Sequence, residues 1–160
     1  MLGRVITMML LLPGSTLAAQ GAAPQFLNPP GLTTPSGYTH VVVAPDGRTV
    51  YIAGQVAFDS TGKLVGGRDF RAQAEQVFKN LAKAVFSVGG SLDDIVKTST
   101  FITDLKNGPA LREVREKHLD RTHPPANTLL VVSSLARPEL LIEIEAVAVL
   151  RKVVRFTGDE

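Results

Sequence analysis

Apolar residues in this chain recur at helical spacing in one long stretch. Between Asp69 and Val88, the residues Phe70, Ala74, Val77, Phe78, Leu81, Val85 and Phe86 follow the i, i+3, i+4, i+7 pattern of a helix face. Arg71, Glu75, Lys79 and Lys83 fall on the opposite face, with Asp69 suited to the N-cap and Gly89-Gly90 to the stop. A second, mostly polar helix is predicted from Pro109 to about Asp120, with a thin apolar face of Ala110, Leu111, Val114 and Leu119. Strand-like runs occupy Tyr38–Val43, Thr49–Ala53 and Ile95–Thr103. The first two flank the turn Pro45-Asp46-Gly47-Arg48 and predict a hairpin closed by Gly54-Gln55. Residues 59–67 form a polar, Gly-rich loop, and Ser91 with Asp94 has the spacing of a helix cap.

Two more strands come from the stretch that begins at Pro124. A β-branched run ending at Val132 leads through Ala136-Arg137-Pro138 into Ile142-Glu143-Ile144-Glu145-Ala146-Val147-Ala148-Val149. Side chains at i and i+2 of a strand share a face, so Glu143 and Glu145 point the same way. Carboxylates in an apolar strand are costly unless they meet water, a partner or a ligand. The predicted order is strand, strand, helix, strand, helix, strand, strand. That order argues for an α+β fold with the helices on one face of a mixed sheet. Two helices leave the other face to cover, and association with further copies would hide it.

The N-terminus changes the picture. Arg4 followed by the apolar run Val5–Leu12, then Pro13-Gly14-Ser15 and small residues to Ala19, reads as a secretory signal too short to span a bilayer. The predicted organisation is a signal peptide over residues 1–19, an extended Pro-rich lead-in over 20–37, one domain over 38–151 and a tail over 152–160. A periplasmic or secreted location is expected, with no membrane attachment once the leader is removed. Lys and Arg number 17 against 15 Asp and Glu, with no long basic run, so charge implies no nucleic-acid partner. The chain has no Cys, which excludes thiolate chemistry. His40, His118 and His123 lack metal-ligand spacing and are expected at the surface or in turns; no metal and no cofactor are expected. Ser133-Ser134 has no nucleophile-elbow context, and Gly66-Gly67 lacks the spacing of a phosphate cradle. Tyr38 and Tyr51 are half-polar aromatics suited to core, interface or cleft.

Several short motifs, in order, resemble the reactive intermediate deaminase family, the YjgF-like or Rid proteins. They are Gly37-Tyr38, Ala53-Gly54-Gln55, Gly90-Ser91-Leu92-Asp93-Asp94-Ile95-Val96-Lys97, Pro124-Pro125-Ala126-Asn127-Thr128 and Ile142-Glu143-Ile144-Glu145-Ala146. The resemblance implies a chorismate-mutase-like homotrimer with small-molecule clefts between subunits. It implies a cleft tyrosine at Tyr38, a backbone ligand contact at Gly54 and a water-activating glutamate at Glu143, with Asn127 and Thr128 also lining the cleft. The family's deaminases hydrolyse enamines and imines that carry a carboxylate, which an arginine holds. This chain has Asn127 at that position, and Asn gives only neutral hydrogen bonds. The resemblance therefore implies weak or altered deaminase activity on a small neutral ligand. Arg112 and Arg137 are candidates to replace the missing charge. The alternative is a non-catalytic trimer that binds small molecules or acts as a chaperone.

Overall fold

The computed structural model describes residues 18–20, 22–151 and 153–155. Most of the expected leader, residues 1–17, and the end of the tail, residues 156–160, lie outside the described residues. The strands are β1 (Ala18–Gln20), β2 (Gln25–Leu27), β3 (Val41–Val43), β4 (Gly47–Gln55), β5 (Ile95–Ile102), β6 (Ala126–Val131), β7 (Ile142–Arg151) and β8 (Val153–Arg155). The helices are α1 (Phe70–Phe86) and α2 (Gly108–His118).

The main sheet has the order β4-β7-β5-β6. β7 is antiparallel to both neighbours, and β5 runs parallel to β6 through the α2 crossover. The mixed sheet and the two helices on one face match the fold class that the sequence implies. Period two sorts the central strand. Ile142, Ile144, Ala146 and Ala148 are buried against the helices, whereas Glu143, Glu145 and Val147 lie on the other, helix-free face. β5 alternates likewise, with Thr98, Thr100 and Ile102 buried and Lys97, Ser99 and Phe101 partly exposed.

The predicted hairpin of residues 38–53 does not form. β3 pairs with β2, inside the expected lead-in, and β4 pairs with β7. The nine-residue β4 finds a partner of its own length in the ten-residue β7, which a three-residue β3 cannot offer. Each ladder pair it gains satisfies otherwise orphaned backbone groups. At the other end, β1 pairs with β8.

α1 starts where the sequence places it. The Asp69 side chain accepts from the Arg71 and Ala72 amides, and Gly89 takes a positive φ of 85° just past the helix. Phe86 is 78% exposed, contrary to its expected place on the buried face. Val85 takes the inward position, and Phe86 points about 100° further round the helix. Gln73 is fully buried instead. Its Nε2 donates to the carbonyls of Gly67 (2.6 Å) and Glu139 (2.8 Å), and its Oε1 accepts from the Leu141 amide at 2.9 Å. The helix thereby fixes the backbone just before Ile142 and Glu143.

α1 and α2 are also joined by polar contacts. Glu75 accepts from Lys117 Nζ at 2.9 Å and pairs with His118 Nε2 at 2.7 Å. The His118 hydrogen bond, and then that of Lys117, hold the Glu75 carboxyl below its ordinary range. The His118 ring stacks on Phe78 with centroids 5.1 Å apart, so it is a packed residue rather than a surface one. Among the described residues no helix is long and apolar enough to cross a membrane.

Gln73→Leu is expected to cost about 2–4 kcal/mol, because it leaves two buried carbonyls and an amide without partners. Urea unfolding measures this; a loss under about 1 kcal/mol would show that the Gln73 bonds do not hold the 139–141 segment.

Candidate functional site

The helix-free face of the sheet carries the two strand carboxylates. Glu143 stands opposite Phe101, Glu145 opposite Ser99, and Val147 between Lys97 and Tyr51. The β4–β7 register shifts between Ile52 and Gln55, and this irregularity brings the Gly54 backbone onto the Glu143 side chain. A Cβ at Gly54 would lie 1.9 Å from Glu143 Oε1 and 2.8 Å from its Cδ. Gly54 is therefore required for close approach rather than for a left-handed φ. The Glu143 carboxylate rests in a seat that any other residue would fill. Two residues on, Glu145 is exposed.

A second concavity lies beyond the edge strand, between β6 and α2. This groove, of about 920 Å³, is lined by Ser36, Tyr38, Asn127, Thr128 and Leu129 on one side and by the α2 residues Leu111, Arg112, Glu113 and Arg115 on the other. Tyr38 is brought there by its neighbour: the buried Thr39 donates its hydroxyl to the Pro124 carbonyl at 2.7 Å and its amide to the Pro125 carbonyl at 3.3 Å. Tyr38 also packs edge-on against His40, with centroids 5.2 Å apart.

Asn127 turns inward toward the helices. Its Oδ1 accepts from the buried hydroxyls of Thr98 (2.9 Å) and Thr100 (3.0 Å). Arginine, which has no acceptor, could not replace it in those bonds. Thr128, the next residue, turns to the helix-free face, where its hydroxyl accepts from Lys97 Nζ at 2.6 Å.

The residues expected to share one cleft thus fall into two groups. Gly54 and Glu143 touch each other on the helix-free face. Tyr38, Asn127 and Thr128 line the groove at the edge strand, and Asn127 faces the opposite side of the sheet from Glu143. β5 separates the two groups within one chain.

Of the two arginines that the sequence offers as replacement charges, Arg112 lines the groove. Arg137 does not; it lies over the Phe58 ring, 4.9 Å from the centroid. Sequence reasoning missed Arg115, which it assigned to the solvated face of the helix. Arg115 is half-buried, and its Nη2 would stand 2.1 Å from a Cβ at Gly37. Burial, and then the neighbouring Arg112 charge, lower the pKa of its guanidinium. The available signal was spacing: Arg112 and Arg115, at i and i+3, are helix neighbours that flank the buried Leu111 and Val114. Glu113, the acid of the groove, is ion-paired with Arg71 of α1. Among the described residues, neither Arg112 nor Arg115 has a hydrogen-bond or ion-pair partner, and no cluster of His, Asp and Glu has the arrangement of a metal site.

The family described as endoribonuclease L-PSP matches residues 31–150 of this chain. The mitochondrial protein MMF1 of Saccharomyces cerevisiae is 37% identical over 100 residues, covering 62% of this chain and 67% of that protein. A RutC family protein of Pyrococcus abyssi is 33% identical over 103 residues, covering 64% of this chain and 79% of its own length. Among solved structures, a Rid family protein of unknown function from Yersinia pestis is 38% identical with a TM-score of 0.71, covering 79% of this chain and 98% of that one. RidA from an Antarctic Psychrobacter is 35% identical with a TM-score of 0.60, over 74% of this chain and 97% of that one.

Gly54→Ala is expected to leave the sheet intact, at a cost of about 1 kcal/mol, and to displace the Glu143 carboxylate from β4. A crystal structure of the variant, with urea unfolding beside it, checks both. An unmoved Glu143 side chain would show that the seat does not depend on glycine.

Proposed function

The chain belongs to the endoribonuclease L-PSP family, the group that includes the Rid proteins, and on that premise we propose that it hydrolyses small enamines or imines in a cleft shared between subunits. The observation that carries this reading is the Gly54–Glu143 seat: a carboxylate held against backbone on a sheet face that no helix covers. Imine hydrolysis needs a base beside the C=N carbon and a proton source for the nitrogen. In this reading Glu143 takes a proton from water as the water oxygen bonds to carbon, and that proton passes to the nitrogen. The carbinolamine then collapses: the C–N bond breaks, ammonia leaves, and a carbonyl remains. An enamine is first protonated at carbon to give the imine. Water is the only co-reactant.

A homotrimer completes the cleft. The helix-free face exposes Tyr51 (82%) and Leu130 (41%) beside the half-buried Phe101 and Val147. Apolar surface of this kind is stabilised by burial against another copy. A neighbouring copy placed there would bring the Tyr38–Asn127 groove of one protomer toward the Glu143 seat of another. Ribonuclease chemistry is less well supported, because no histidine lines the groove to serve as an acid or base.

Light scattering with in-line chromatography is expected to give a trimer at micromolar concentration; a monomer would overturn the shared cleft. With a PLP enzyme supplying the imine, the trimer is expected to release ammonia faster than the spontaneous reaction. Glu143→Gln is expected to lower that rate by at least about tenfold, or 1.4 kcal/mol. A wild-type trimer that gives no acceleration would refute the hydrolase and favour the non-catalytic binding protein.

A further inference from the structure

The groove holds an asymmetry that the strand motifs do not account for. Its acid, Glu113, is already neutralised by Arg71, while its two arginines face the cavity without partners among the described residues. A half-buried guanidinium with no counter-ion is expensive to keep, because burial disfavours charge that is not repaid by hydrogen bonds. Arg115 is such a group. It packs against Gly37, where a side chain on residue 37 would collide with its Nη2. The φ of +73° at Gly37 supports the same backbone placement. Asn127 faces the same groove, with its oxygen occupied by Thr98 and Thr100. The chain thus places no charge at position 127 and a partly desolvated, forked cation across the groove from it.

We propose that Arg115, assisted by Arg112, is the anion anchor of this groove, so that the protein takes small substrates that carry a carboxylate. This inference rests on the enamine or imine hydrolase reading and names its substrate class. It reverses the expectation of a neutral ligand drawn from Asn127 alone. Guanidinium binds carboxylate through two parallel N–H···O bonds, and Tyr38 and Leu129 supply an apolar wall for the short carbon chain. Arg112 is exposed on the turn before and adds charge at the mouth of the groove. An arginine placed at 127 would add a third guanidinium to the cavity and leave the two threonines without their acceptor.

The test is binding, read by NMR titration of the folded wild-type protein with 2-oxobutanoate, with uncharged 2-oxobutanamide and with inorganic phosphate. The carboxylate is expected to bind at least tenfold tighter than the amide, and tighter than phosphate. Arg115→Gln should abolish the preference for carboxylate over amide while leaving amide binding unchanged, an outcome that a merely structural role would not produce. Arg115→Met keeps the apolar stem against Gly37 and serves the same purpose if the Gln variant does not fold. Glu143→Gln should keep the full preference. Equal binding of carboxylate and amide by wild type, retention of the preference without Arg115, or tighter binding of phosphate overturns the proposal. A preference that depends on Arg115, in a protein that hydrolyses no imine, upholds the anchor and rejects the hydrolase.

Discussion

The structure depends on the two-fold alternation of β7. This strand is central, paired on both sides, and its even-numbered positions from Ile142 to Ala148 are sealed beneath α1 and α2. Burying a side chain such as isoleucine contributes about 1.5–3 kcal/mol, so slipping the register by one residue would expose that row and bury two carboxylates. Glu143 and Glu145 are thus held on the helix-free face by hydrophobic burial one residue away. The same burial that makes the core sets the position of the candidate catalytic group, and the Gln73 bond to Leu141 fixes where the strand begins.

Most of this was legible where a period or a cap was strong. The α1 stripe, the Ser91–Asp94 cap and the two faces of β7 are local patterns, and each appears where its spacing puts it. What failed was partnership. Nothing local says that Thr49–Ala53 pairs with a strand almost a hundred residues later rather than with its neighbour across Pro45-Asp46-Gly47-Arg48. Phe86 and Gln73 exchanged their expected exposure for a related reason. Helical geometry ranks Val85 above Phe86 for the inward position, and a buried glutamine is acceptable only because two loops distant in sequence supply its partners.

The candidate site shows the same division. Each motif residue has a definite local role, but the sheet order parts them: Glu143 lies on one face and Asn127 on the other. Spacing in the sequence cannot reveal that separation, because it follows from β5 inserting between β6 and β7. Nor can it show that Glu113 is neutralised by Arg71 from another helix, leaving Arg115 as the free half-buried cation beside Asn127. The charge balance of the groove is a tertiary property. It explains why a reading based on residue 127 alone described the cavity as uncharged.

The place of β7 in the chain has a consequence for biogenesis. The strand that both β4 and β5 need is the last long one to be made, and Gly47 finds its partner at Arg151. On the ribosome, β4 and β5 must wait with open edges while the remaining residues are added at about 5–20 per second. No stable half-domain can form early, because neither edge has a partner until synthesis is nearly complete. Contacts so far apart in sequence also slow the search for the native pairing. The nascent chain therefore stays unfolded and open to chaperones or a translocation channel until its C-terminal strand arrives, and then closes in one cooperative step.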